Sequence, residues 1–312
     1  MESKITGVMM VQPTSAMKFK ASSQWKAFLL ATCILTICFS VPLFHLARFA
    51  WQNELYSYIL LVPFISWYLA RSKKTGTTAD SEPLRGAGVV CMGAGAMMLA
   101  WYFEARFSGA MRHYEDGLAM LALAFFFFFI GLGLALLGRE TMRSMAFPFG
   151  VMFFIVPMPA FVRDGIEKFL QYGSAYAAHG LFTLSTTPFV RDDLTFILPG
   201  MPQGISVAPE CSGIHSTLIL FITSLLAGYL FLHSPWNRAI LTLAVVPLGL
   251  LRNGFRVFTL GQLCVHYGPQ MLDTPIHHKG GPIFFALSLI PFFALLAFLY
   301  KRERRSANPV KN

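Results

Sequence analysis

Three short stretches carry side chains able to do covalent chemistry. They are "VAPECSGIHS" at 207–216 with Cys211, "LRNGFRV" at 251–257 with Arg256, and "IHHKGG" at 276–281 with His277. A free thiol with a pKa of ~8.5 is only slightly ionised at neutral pH, and a neighbouring histidine or cation raises the thiolate fraction. Attack of the thiolate on a peptide carbonyl builds an oxyanion that an arginine can hold, and an imidazole can protonate the departing amine. A thiol, a guanidinium and an imidazole at one place are therefore the parts of a cysteine acyl-transfer centre. In it Cys211 is the nucleophile, Arg256 stabilises the oxyanion or the substrate, and His277 is the general acid and base. Supporting candidates are Asn253 and Arg252 on the helical face of Arg256, Glu210 beside the thiol, and His278, which competes with His277. Each group also has an ordinary reading: a cysteine near a helix start packs, a histidine beside Lys279 and two glycines belongs to a loop, and an arginine near a helix end snorkels. Spacing alone does not decide between the readings.

The elements that must position these groups lie in a bilayer. The chain has 312 residues, of which 55% are hydrophobic and 13% charged, and a mean hydropathy of +0.56, far more apolar than a soluble domain of this length. Its excess of Lys and Arg punctuates apolar runs instead of clustering on a polar face, which excludes a nucleic-acid binder and fits a membrane protein. Cys33, Cys38, Cys91, Cys211 and Cys264 have no regular spacing, so neither a disulfide framework nor a metal site is expected, and no cofactor-binding motif is present. The polar first residues precede an apolar run without a small-residue cleavage site, which reads as a retained first span.

Apolar runs at 27–46, 55–70, 86–103, 117–138, 144–162, 213–232, 239–260 and 282–300 are long enough to cross ~30 Å of hydrocarbon. The expected fold is all-α and integral to the membrane, with about eight transmembrane helices. Residues 27–300 make one polytopic domain carrying the catalytic blocks within 150–290, between a cytoplasmic tail at 1–26 and a basic cytoplasmic tail at 301–312. With both termini inside, the cytoplasmic segments collect sixteen Lys and Arg and the outer segments seven, as the positive-inside rule requires.

Residues 163–212 form the longest outer segment. Ile166, Phe169, Leu170, Tyr176 and Ala177 recur at roughly helical spacing, which predicts an amphipathic helix on the membrane surface. The following "TPFVRDDLTFILPGMPQGISVAPE" alternates and carries Pro and Gly, which predicts a short extended segment or hairpin before the sixth span. Two spans separate Cys211 from His277, so both lie on one membrane face, the outer one in this orientation. Arg256 comes 18 residues after Arg238, a rise of ~27 Å that carries it near the same face. Ser212 and Gly213 can start the sixth helix, whose dipole would favour a thiolate at its N-terminus.

The blocks "ISVAPECSGIHST", "LRNGFRV" and "IHHKGGPIFF" resemble the Cys-Ser-Gly, Asn-x-x-Arg and His-x-x-x-Gly blocks of the exosortase/archaeosortase family. The upstream "FIVPMPAFVRDGIEKFLQ" and "LTFILPG" resemble that family's approach to its cysteine. The resemblance implies a multi-pass inner-membrane cysteine transpeptidase, active on the outer (periplasmic) face. Its protein partners would be exported proteins whose C-terminal sorting tail joins a short PEP-like motif, a transmembrane helix and a basic cluster. Its surroundings would be membrane lipids, and its acceptor an amine or a lipid. On this resemblance Cys211, Arg256 and His277 take the three principal positions, with Gly281 completing the histidine block; Arg252 falls outside the motif. The alternative is a polytopic transporter or lipid-linked polymer protein, with Arg256 and His277 as an anion site and Cys211 structural.

Overall fold

Prolines set where the apolar runs bend. The computed structural model describes residues 23–72, 82–208, 212–273 and 280–307. The first run is two helices, α1 (Ser23–Cys38) and α2 (Ser40–Gln52), bent by 74°. The break at Phe39 lies three residues before Pro42, whose ring removes a donor and crowds the carbonyl of Cys38, the last residue of α1. The same offset separates Pro148 and Pro247 from the breaks at Met145 and Ala244, and Pro63 follows the break at Leu61 by two residues. The second run is a 3-10 turn at Glu54–Leu60 followed by α3 (Val62–Ser72). Two full helices come next, α4 (Arg85–Phe107) and α5 (Tyr114–Leu137). The fifth run is α6 (Arg139–Ser144), α7 (Ala146–Val151) and a 3-10 turn at Met152–Ile155. It is bent by 93° at "VPMP" into α8 (Ala160–Leu184).

Strands β1 (Val190–Asp192), β2 (Thr195–Leu198) and β3 (Met201–Ser206) follow, then α9 (Ile214–Phe231), α10 (Pro235–Leu243), α11 (Val245–Tyr267), a 3-10 turn at Pro269–Asp273, and α12 (Gly281–Ala307). Among the described residues, by length and composition, five helices can cross a membrane, or seven if each bent pair is one span. The all-α integral membrane fold is thus as expected. The count falls short of eight because the run at 55–70 is split before Pro63 into pieces too short to span.

Small residues bring the helices together, as they must where lipid removes the hydrophobic drive between them. A Cβ on Gly88 of α4 would lie 2.8 Å from the Gly131 carbonyl oxygen of α5, so these backbones touch. A Cβ on Gly254 of α11 would lie 2.5 Å from Ala177 Cβ and 2.9 Å from Ala178 N of α8, and one on Gly261 would lie 2.5 Å from Phe182. Leu250 in turn covers Gly173, so α8 and α11 run alongside each other in the same direction. The helix expected over 163–184 is amphipathic, but it lies along α11. Its small face of Ser174, Ala175 and Ala178 is buried, while Phe169 and Tyr176 stay exposed.

Gly254→Leu is expected to force α8 from α11, at a cost of about 1–3 kcal/mol for overpacking. Gly180→Leu, where a side chain meets nothing within 4 Å, is the control. Thermal unfolding in detergent distinguishes them, and equal midpoints would contradict the contact.

The predicted hairpin is a three-stranded antiparallel meander, with Arg191 opposite Phe196 and Phe196 opposite Ile205. Phe196, Leu198, Met201, Ile205 and Val207 form one core with Phe182 of α8 and with Val257 and Cys264 of α11. Two polar ties hold the helix ends. Glu115, buried at the start of α5, pairs with Arg163 and accepts from the Tyr56 hydroxyl at 3.2 Å, while Asp116 accepts from Ala160 N at 2.7 Å and so caps α8. At the other end, Glu303 of α12 accepts from His233 N at 2.8 Å, Ser234 N at 3.0 Å and Asn237 Nδ2 at 2.7 Å.

Candidate active site

The sheet, α9, α11 and α12 converge where the three sequence blocks approach one another. The approach is held at Val207. Its N–H donates to the Leu194 carbonyl at 3.0 Å, and its carbonyl accepts from Nε2 of buried Gln171 on α8 at 3.1 Å. Cys211 and Glu210 follow outside the described residues, as do His277 and His278. The description resumes at buried Ser212, whose Oγ accepts from Ile214 N at 3.4 Å as α9 begins.

Gly213 is the hinge of this start. Its φ of +72° is in the left-handed region, and an added Cβ would meet Arg252 Nη2 at 2.6 Å and the Asn253 amide at 3.5 Å. Arg252 is only 9% exposed and Asn253 2%. The Arg252 Nη2 donates to the Gly213 carbonyl at 3.0 Å and to Thr217 Oγ1 at 3.2 Å. The Gly213 carbonyl also accepts from Thr217 N at 3.0 Å, so the guanidinium clamps the first turn of α9. A second close approach locks the same pair of helices, since a Cβ on Gly249 would lie 2.8 Å from Thr217 Oγ1. Arg252 thereby acts on the cysteine block from behind, while Arg256, one turn on, faces a cavity.

That cavity has a volume of about 580 Å³ and is lined by Gly213, Arg256 and Gly281 together with Glu54, Glu167 and His215. The flank of the Cys211 block, the arginine of the Asn-x-x-Arg block and the last residue of the His277 block thus share one wall. Three members escaped the sequence reading. His215 stands four residues after Cys211 inside the same block, and its Nε2 is buried with no hydrogen-bond partner among the described residues. Glu54 borders the apolar run at 55–70, and that position was the available signal; Glu167 lies inside the amphipathic stretch that begins at 163, where a charge is ordinary. Among the described residues no three His, Cys, Asp or Glu converge to hold a metal.

Gln171→Leu keeps the bulk at that position and removes the tie to the Val207 carbonyl, leaving a buried acceptor at a cost of about 1–3 kcal/mol. Faster hydrogen exchange confined to the meander is the expected result. Unchanged protection would show that Gln171 does not hold the approach.

The cavity of this integral membrane protein thus gathers an arginine, two acids and the ends of the Cys-Ser-Gly and His-x-x-x-Gly blocks. The model of the transmembrane exosortases matches residues 51–294, and the chain belongs to that family, a membrane family of the cysteine peptidase-like type. No curated protein and no solved structure matches it. Membership carries a membrane transpeptidase and protein-sorting role in general, with protein substrates that bear sorting signals.

Proposed function

We propose that this protein cleaves the C-terminal sorting tail of exported proteins at the outer face of the inner membrane and passes the shortened chain to an acceptor. The observation that carries this reading is the shared cavity: Gly213, Arg256 and Gly281 line it together, and Cys211 stands two residues before Gly213 while His277 stands four before Gly281. Residues 27–300 act as one polytopic unit, with the segments 1–26 and 301–312 on the cytoplasmic side, as the basic residues favour.

The Cys211 thiolate attacks the scissile carbonyl, and the Arg256 guanidinium holds the oxyanion that forms. As the C–N bond breaks, His277 gives a proton to the departing amine, the tail leaves, and a thioester joins the substrate to Cys211. An amine or lipid acceptor then gives its proton to His277 and attacks the thioester carbonyl. The C–S bond breaks and the thiolate returns. Asn253 and Arg252 support the arginine, and Glu210 and His278 flank the reacting groups.

Hydroxylamine tests the thioester directly. Added to membranes with a tail-bearing substrate, it is expected to yield an N-terminal product ending in a hydroxamate. Tail cleavage at an unchanged rate giving only a carboxylate would remove the acyl-enzyme from the mechanism.

A further inference from the structure

A second cavity lies away from the catalytic blocks, between α1 and α3, with a volume of about 610 Å³. Its wall is apolar, drawn from residues such as Phe28, Leu46, Phe129 and Phe149, and it runs beside α1 from Trp25 to Thr36 and beside α3 from Pro63 to Arg71. At 1.5 Å per residue those stretches are about 12–16 Å long, the depth of one leaflet of a bilayer whose hydrocarbon is ~30 Å thick. An apolar wall of that length with a polar end matches the outline of one lipid, an acyl chain below a charged headgroup. At about 30 Å³ for a water-sized group, the slot has room for at least roughly 20 methylene-sized groups.

One end of the slot is polar and the rest is not. Arg71 and Trp67 line that end together with Trp25, and the Arg71 guanidinium lies over the Trp67 ring at 5.3 Å. Tryptophan and arginine at this level are the pairing found at the headgroup boundary, and the orientation favoured by the basic residues makes it the cytoplasmic, anionic boundary. Thr32 adds a wall hydroxyl that is buried with no hydrogen-bond partner among the described residues. Its neighbour Thr36, by contrast, donates to the Thr32 carbonyl at 2.8 Å.

We propose that this slot binds one acyl chain of an anionic phospholipid, with the phosphate at Arg71 and an ester carbonyl accepting from the Thr32 hydroxyl. The 3-10 turn at Glu54–Leu60 separates this lipid from the catalytic cavity: Ile59 and Leu60 line the slot, and Glu54 and Leu55 line the other side.

Native mass spectrometry of the detergent-purified full chain tests the site, with dioleoyl phosphatidylglycerol and dioleoyl phosphatidylcholine offered at equal concentration. The wild type is expected to retain one phosphatidylglycerol with a preference of about five- to tenfold, the increment of one basic residue at a lipid surface. Arg71→Gln should bring the two lipids to equal retention. Ala47→Phe, which fills the slot from its wall, should remove the adduct. Equal retention by the wild type, a preference untouched by Arg71→Gln, or an adduct that survives Ala47→Phe overturns the proposal. Arg71 is exposed, so the first variant reports even if the second fails to fold.

Discussion

Cys211→Ala is expected to insert and unfold as the wild type does and to leave tail-bearing substrates uncleaved. Removing a nucleophile that reacts as one unit with its base costs roughly 10⁴–10⁶ in rate, which in a processing assay is complete loss. The remaining thiols supply the contrast. Cys264 is 2% exposed in the core beneath the meander, Cys33 and Cys38 are exposed along α1, and Cys91 is half-buried in α4. None of them lines the catalytic cavity, so alanine at each should preserve processing. Wild-type cleavage by the Cys211→Ala chain would sink the cysteine mechanism and favour an anion site at Arg256 with a structural thiol.

Gly213→Ala is the second large effect, and it acts through geometry alone. A left-handed backbone costs an L-residue about 1–2 kcal/mol, and the new methyl would lie 2.6 Å from Arg252 Nη2. The guanidinium cannot retreat freely, because it is buried among Asn253 and the first turn of α9 and bonded to the Gly213 carbonyl and to Thr217. Either α9 shifts its start or Arg252 gives up its clamp, and in both cases the residues that follow Cys211 move relative to Arg256. Processing should fall at least tenfold, since misplacement of about 1 Å can cost 10² in rate, while membrane insertion persists. Arg252→Met separates the two causes: it removes the clamp without backbone strain and should reproduce the activity loss. Normal processing by both variants would show that the clamp does not position the site.

Side-chain type and helix rise are properties of the chain itself, and counting crossings and residues leads to Cys211, Arg256 and His277 on one membrane face. Gly213, Arg256 and Gly281 do line one cavity, while Cys211 and His277 lie outside the described residues. The meander was legible from alternation between Gly and Pro residues. Arg252 was ranked below Arg256 for lying outside the motif, and its role became visible only with the carbonyl it clamps, since a contact between α9 and α11 leaves no local pattern. His215 was passed over inside a quoted block for the same reason. The helix breaks are different: Pro42, Pro63, Pro148 and Pro247 were in plain view, but an apolar run was read as an unbroken span. Pro291 shows why that inference is not automatic, since α12 continues through it.

The carboxylate of Glu303 also bears on timing. Gly281 and Pro282 complete the wall of the catalytic cavity, yet the helix they begin is fastened at its far end, where Glu303 caps α10 through His233, Ser234 and Asn237. Domains assemble from the N-terminus as they are synthesised, and the earlier blocks at Gly213 and Arg256 enter the bilayer while this last helix is still being made. The third wall of the cavity is therefore the last of the three to be synthesised, and its placement depends on a carboxylate at the opposite end of its own helix.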